Sequence, residues 1–198
     1  MGTRLRFRNS SYDVVILAGG ESKRFGSDKC CFEFNMKTFL QRIVENFENP
    51  IIVTSRRREK INKGIQIIDN VLKGPAYALK QALPYLKKEK VFVTGCDFPF
   101  VSRELTNFIC NKEAEISIIK EKELQPLLAC YSTFLLKSRI EYVKTLYELQ
   151  QYAKSIYIIG TYELILNGFS LTQLKNINSW TDFYTNQDKY TLSMYIIK

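Results

Sequence analysis

The sequence predicts a layered α/β domain built on a mostly parallel sheet that is mixed at one side. Short apolar runs recur at intervals too long for hairpins, at residues 14–17, 51–53, 65–68, 91–93, 116–119 and 127–131; most read as strands buried on both faces. Helical spacing fills several of the gaps, which implies parallel neighbours joined by right-handed crossovers. The segment KEKELQ at residues 120–125 is short enough for a hairpin, so one strand there is expected to run antiparallel.

Taken in order, residues 1–11 (MGTRLRFRNSS) are basic and aperiodic and read as an arm ahead of the first strand. Over residues 38–47, Phe39, Leu40, Ile43, Val44 and Phe47 recur with helical spacing. A second helix is expected over residues 75–86, with Ala78, Leu79, Ala82 and Leu86 on one face. It opens at Gly74-Pro75, where proline suits the first turn because its missing N–H would have no partner there. A third helix is expected over residues 135–151, while residues 153–168 carry Ile, Tyr and Leu without a decisive period, leaving helix and strand open. With no repeat, low-complexity tract or linker, residues 1–198 read as one domain.

Composition narrows the chemistry. The chain has 29 Lys and Arg against 20 Asp and Glu, a formal charge of +9, which favours polyanionic partners without choosing among them. There is no histidine, so Ser-His-Asp and Cys-His catalysis are excluded and any reaction must use carboxylates, lysines, arginines or a metal. The five cysteines include no CxxC pair, so structural zinc is not expected. Without a signal peptide or an apolar run of membrane-crossing length, the expectation is a soluble cytoplasmic protein whose cysteines are reduced core filler.

In an open α/β sheet, ligands bind beyond the carboxyl ends of the strands. After the first strand come Gly19 and Gly20, which can adopt positive φ and let backbone N–H groups approach an anion. Lys23, Arg24 and Lys29 follow closely enough to surround a triphosphate. Five residues separate Gly20 from Gly26 and Ser27 comes next, so this is no Walker A loop, and GxGxxG is absent. Asp97, in VFVTGCDFPF, is the single carboxylate that a Mg²⁺ site completed by substrate phosphates and water requires. Asp69 follows IQII, and with the helix opening at Gly74-Pro75 it could meet a base or ribose. Each feature alone also fits a plain turn or a solvated loop. The run SRRREK (residues 55–60) fits a solvated face, a phosphate rim or a nucleic-acid surface.

Together these stretches resemble the molybdenum cofactor guanylyltransferase family. LAGGESKRFGSDK (residues 17–29) is similar to the family's LAGGxSxRMGxDK, CDFP (96–99) to its CDxP, and KGPAYAL (73–79) to its GPLxGL. LQPLLACY (124–131) resembles a PLxAxY segment, and KNINSWTDF (175–183) resembles NxNTPEDL. The resemblance implies a three-layer Rossmann-like nucleotidyltransferase fold. It also implies transfer of GMP from GTP to the terminal phosphate of molybdopterin, with release of pyrophosphate. Within it, Leu17, Ala18 and Gly19 would contact guanine and ribose, Gly20, Arg24 and Lys29 would serve the triphosphate, and Asp97 would bind Mg²⁺ with Asn178 as second ligand. Asp69 rather than Asn70 is preferred as the carboxylate ahead of Gly-Pro because it keeps the charge. Implied partners are GTP and molybdopterin, with transient contact to other molybdenum cofactor proteins and neither nucleic acid nor membrane. The departures are Thr54 where the family often has Asn, Ala78 for the second glycine of GPLxG, and Ser179-Trp180 for Thr-Pro. Competing readings are a transferase of the same fold using CTP or another phosphate acceptor, a nucleotide-binding regulator without catalysis, and a nucleic-acid-binding module.

Overall fold

The computed structural model describes residues 11–19, 28–179, 182 and 191–198. The basic arm, apart from Ser11, therefore lies outside the described residues, as do Gly20, Lys23, Arg24 and Trp180. The sheet grows outward from β1 (Tyr12–Ala18), whose flanking partners are β4 (Ile51–Thr54) and β6 (Lys90–Gly95), both parallel to it. Beyond β4 lies β5 (Ile65–Ile68), also parallel and at one edge. On the other side β8 (Leu124–Ser132) runs antiparallel to β6 and to β7 (Ile116–Lys120), the expected hairpin. Next comes β9 (Ser155–Gly160), parallel to β7, and the antiparallel β10 (Met194–Ile197) closes the order β5-β4-β1-β6-β8-β7-β9-β10. A separate two-stranded hairpin, β2 (Glu33–Phe34) and β3 (Lys37–Thr38), leads into the first helix.

The pleat sorts alternate residues into two cores. Val14, Ile16 and Ala18 of β1 join a cluster with α1 (Phe39–Glu45) and α3 (Arg103–Cys110), while Val15 and Leu17 face α2 (Pro75–Ala82) and α4 (Thr133–Arg139). The first layer also takes in Leu164 of α5 (Thr161–Leu166), completing a three-layer α/β/α arrangement. Local chemistry starts the helices where packing needs them. The Thr38 hydroxyl accepts from the Gln41 N–H at 3.1 Å and the Gln41 side chain accepts from the Thr38 N–H at 2.8 Å, a reciprocal cap on α1. Pro75 begins α2 behind Gly74, whose φ of +98° would strain any residue carrying a Cβ.

Several expectations are corrected. β5 is an exposed edge rather than a strand buried on both faces, with Ile65 and Ile68 about two-fifths exposed. The helix expected over residues 135–151 stops at Arg139 and gives way to two 3₁₀ segments, Ile140–Tyr142 and Leu146–Gln151. Val143 and Thr145, both β-branched, are extended between them. Helix α2 ends at Ala82 and tightens into a 3₁₀ turn, Leu83–Tyr85, because Pro84 has no N–H to continue it. The open segment divides at Gly160 into strand β9 and helix α5, and α3 and β10 occupy stretches to which the sequence pattern assigned no element.

The cysteines are also more than filler. Cys30 pairs with Cys96 and Cys110 with Cys130, all four deep in one core layer, and only Cys31 is free and exposed. Residues distant in sequence are brought within bonding distance when their elements pack on the same face. Among the described residues no helix is long and apolar enough to cross a membrane.

Leu79 is fully buried between α2 and the sheet. Leu79→Ala is expected to lower unfolding free energy by about 3 kcal/mol, read by urea titration; a loss below about 1 kcal/mol would mean that this layer is not tightly packed.

Candidate functional site

Six of the eight strands in the sheet point the same way, so the carboxyl ends of β1, β4, β5 and β6 share one edge. The chain leaves β1 toward β4 on one side while β6 lies on the other, which opens a crevice between β1 and β6. A cavity of about 300 Å³ occupies this place. It is lined by Leu17 in β1 and Gly19 just after it, by Asp69 after β5, by Gly95, Cys96 and Asp97 at the end of β6, and by Lys29. Gly74, Pro75 and Ala78 bring the first turn of α2 to the same wall, and Leu72 and Leu127 supply apolar cover. Residues separated by up to 110 positions in the chain thus meet because parallel strands deliver their ends to one edge.

Lys29 and Asp97 form the charged centre. The Lys29 ammonium lies 3.4 Å from Asp97 Oδ2 and donates to Asn178 Oδ1 at 2.9 Å, with both charged side chains largely buried. Lys29 is carried by a 3₁₀ turn, Lys29–Cys31, whose start is capped by Asp28 accepting from the Cys30 N–H at 3.1 Å. The Cys30–Cys96 link joins that turn to the residue before Asp97, so the bond and the charge pair sit side by side.

Asn178 arrives on a strap after the 3₁₀ segment Leu171–Leu174. The Ile177 N–H donates to the Asp97 carbonyl at 2.8 Å, and Ile177 packs against Phe39 beneath the site. The Asn178 side chain donates to Asn176 Oδ1 at 2.6 Å, which directs its own oxygen toward Lys29. Asp182 Oδ2 accepts from the N–H groups of Asn178 and Ser179 at 2.8 and 2.7 Å. Asn176 and Asp182 both fall within KNINSWTDF, the stretch that resembles NxNTPEDL, but motif reading gave neither a role; the Asn-x-Asn spacing places both amides on one side of an extended chain.

Gly95 is a further residue that motif reading passed over. A Cβ there would lie 2.1 Å from Asp97 Oδ1 and 3.2 Å from Leu127, so a bare backbone is what lets the Asp97 carboxylate fold back over the strand end. Gly19, by contrast, does not use the positive φ open to glycine, and a Cβ would meet Leu72 and Ser55 at an ordinary 3.6 Å. Its bareness serves the space in front of it rather than the turn. Ala18 is fully buried behind the cavity wall and only its neighbours Leu17 and Gly19 line the space. Asp69 lines the cavity whereas Asn70 is solvent-exposed, and Asp69 Oδ1 accepts from the Val71 and Leu72 N–H groups at 3.0 and 3.1 Å. This carboxylate therefore also shapes the loop that brings Leu72 to the cavity.

The donor set fits a magnesium ion that arrives with phosphate. One carboxylate, Asp97, and one amide oxygen, Asn178, converge on a single ammonium, and no cluster of three or more metal-binding side chains occurs among the described residues. A cation held here would complete its shell with phosphate and water oxygens. In the run at residues 55–60, Arg56, Arg57, Glu59 and Lys60 are exposed as on a solvated face, whereas Arg58 is only 7% exposed and turns inward to Asp28, Thr54 and Ala18.

Comparison with known proteins agrees with this fold. A model of the family described as "MobA-like NTP transferase domain" matches residues 14–162. A "Probable molybdenum cofactor guanylyltransferase" of Clostridium perfringens is 34% identical over 127 residues, covering 60% of this chain and 64% of that protein. One of the same description from Aquifex aeolicus is 30% identical over 136 residues, covering 65% and 68%. The chain thus spans about two thirds of the length of these relatives. Among solved structures, molybdopterin-guanine dinucleotide biosynthesis protein A from Archaeoglobus fulgidus superimposes with a TM-score of 0.71 at 19% identity, covering 87% of this chain and 95% of that one. The motif-bearing strand ends up to Asp97 fall inside the matched stretch, and on that match the chain belongs to the MobA-like NTP transferase domain family.

Proposed function

We propose that the chain transfers GMP from GTP to the terminal phosphate of molybdopterin, forming the guanine dinucleotide cofactor and releasing pyrophosphate. The observation that carries this reading is the Lys29–Asp97–Asn178 centre in a cavity at the β1/β6 crevice. The names of the relatives support guanine as the base.

In this reading an oxygen of the molybdopterin phosphate attacks the α-phosphorus of GTP. A new P–O bond forms as the bond to the β-phosphate oxygen breaks, and the electron pair leaves with pyrophosphate. The nucleophile is already an anion, so no general base is needed and the absence of histidine is no obstacle. The difficulty is bringing two polyanions together, which calls for fixed positive charge and exact placement rather than proton transfer. Lys29 supplies that charge at a position set by Asp97 and Asn178, and Arg24 and Gly20, outside the described residues, would extend the phosphate contacts. Leu17 and Gly19 would flank the base and ribose, with Ala18 buried behind them and Asp69 on the same cavity lining. Asp97 and Asn178 would hold Mg²⁺, which when bound neutralises phosphoryl oxygens and polarises the reacting phosphorus. Such chemistry on soluble small molecules suits a cytoplasmic protein.

Ala78 lines the cavity beside the proposed base position, where the family pattern has glycine. This is the observation that bears on base identity, and it makes comparison of nucleotides the decisive experiment. With molybdopterin and Mg²⁺, GTP is expected to support pyrophosphate release and CTP is not; turnover with CTP alone would overturn the guanine assignment. Lys29→Ala and Asp97→Asn should each lower kcat by roughly 10²–10³-fold with circular dichroism unchanged, and full activity in both would defeat the mechanism. Gly95→Ala should cost about a hundredfold by displacing the Asp97 carboxylate without disturbing the core; an unchanged rate would show that the position of that carboxylate is immaterial.

A further inference from the structure

We infer that Arg58 is a positioning residue for nucleotide binding: its buried guanidinium sets the spacing between the end of β1 and the turn that carries Lys29. This rests on the proposed nucleotide site but concerns a residue that does not line the cavity. Three acceptors from different parts of the chain meet on one planar group. Nε donates to Thr54 Oγ1 at 2.9 Å at the end of β4, Nη2 donates to the Ala18 carbonyl at 3.1 Å at the end of β1, and Nη1 pairs with the Asp28 carboxylate. The Cys31 sulfur lies 3.0 Å from the same Nη1.

The Arg58 backbone is fixed in turn from the sheet edge. Its N–H donates to Gln66 Oε1 at 2.8 Å, and Gln66 Nε2 donates back to its carbonyl at 3.1 Å. One residue therefore ties β1, β4, β5 and the Lys29 turn into a single hydrogen-bonded unit. Burying a guanidinium is costly unless it is paired and its donors are used, and here both conditions are met. The acceptors identify the consequence. Ala18 precedes Gly19 and Asp28 precedes Lys29, and Gly19 and Lys29 are the two cavity-lining residues separated in the chain by the Gly20–Gly26 motif stretch. Thr54 takes part because its hydroxyl accepts from Nε.

A nucleotide that uses both Gly19 and Lys29 binds most tightly when their spacing is set before it arrives. Loss of Arg58 should weaken GTP binding and leave the acceptor's KM nearly unaltered, whereas a merely structural residue would affect both or only stability. The test is isothermal titration of the full chain with GTP, alongside KM for each substrate and thermal melting. The variants are Arg58→Met, Arg58→Lys and Asp28→Asn, the last keeping the cap on the turn while removing the charge. Arg58→Met and Asp28→Asn are expected to raise the GTP Kd by roughly tenfold or more and to leave the acceptor's KM within about twofold. Arg58→Lys should not restore binding, since one ammonium cannot span the three acceptors. The double variant should be no worse than the worse single, because both act through one network.

Folded variants that bind GTP as wild type does, equal losses for both substrates, or additive effects of the two changes would each overturn the inference. If Arg58→Met does not fold, Asp28→Asn carries the same comparison from a partly exposed position. A wild-type chain that binds no GTP would instead overturn the functional reading and the inference with it, whereas wild-type binding matched by the variants overturns the inference alone.

Discussion

The Lys29 ammonium is held by the Asp97 carboxylate from the end of β6 and the Asn178 amide oxygen from a strap that returns much later in the chain. A lysine ammonium on a four-carbon stem would ordinarily wander in solvent, losing entropy on each binding event. Here its position is constrained from both sides. The parallel pairing of β1 with β6 brings Asp97 near it, and the Ile177 contact to the Asp97 carbonyl brings Asn178. Most of what surrounds the site can be read as keeping those three groups in register.

The devices that keep them there differ in kind. Gly95 makes room for a carboxylate, Asp182 and Asn176 shape a strap, and the Cys30–Cys96 link fastens the Lys29 turn to β6. Arg58 works from behind the cavity on backbone that faces it. Two polyanions reacting with each other require prearranged charge more than acid–base groups. The investment of so many fixed contacts around one lysine and one carboxylate is consistent with that requirement.

The remote side of the sheet serves another purpose. Strands β8, β7, β9 and β10 extend the two cores beyond the cavity, and β8 reverses direction next to β6. That reversal brings Leu127 to the cavity wall, so the hairpin contributes apolar cover to the site as well as width to the sheet. The exposed β5 edge, by comparison, lies nearest to the residues that fix Arg58.

Periodicity and motif spacing were sufficient for the six strand cores, the α1 and α2 faces and the hairpin, because apolar alternation and turn chemistry act locally. They also located Gly19, Asp69 and Asp97 just past strand ends, with Lys29 in the stretch that follows β1, since a parallel sheet has only one edge where such residues can meet. The interrupted helix after Arg139, the exposure of β5 and the pairing of four cysteines depended on which elements became neighbours. Arg58 shows the limit most clearly: within SRRREK nothing distinguishes it from Arg56, which is largely exposed. Only tertiary structure put a carbonyl, a hydroxyl and a carboxylate around one of these guanidinium groups, because hydrogen-bond partners from distant segments are set by packing and have no signature in the local sequence.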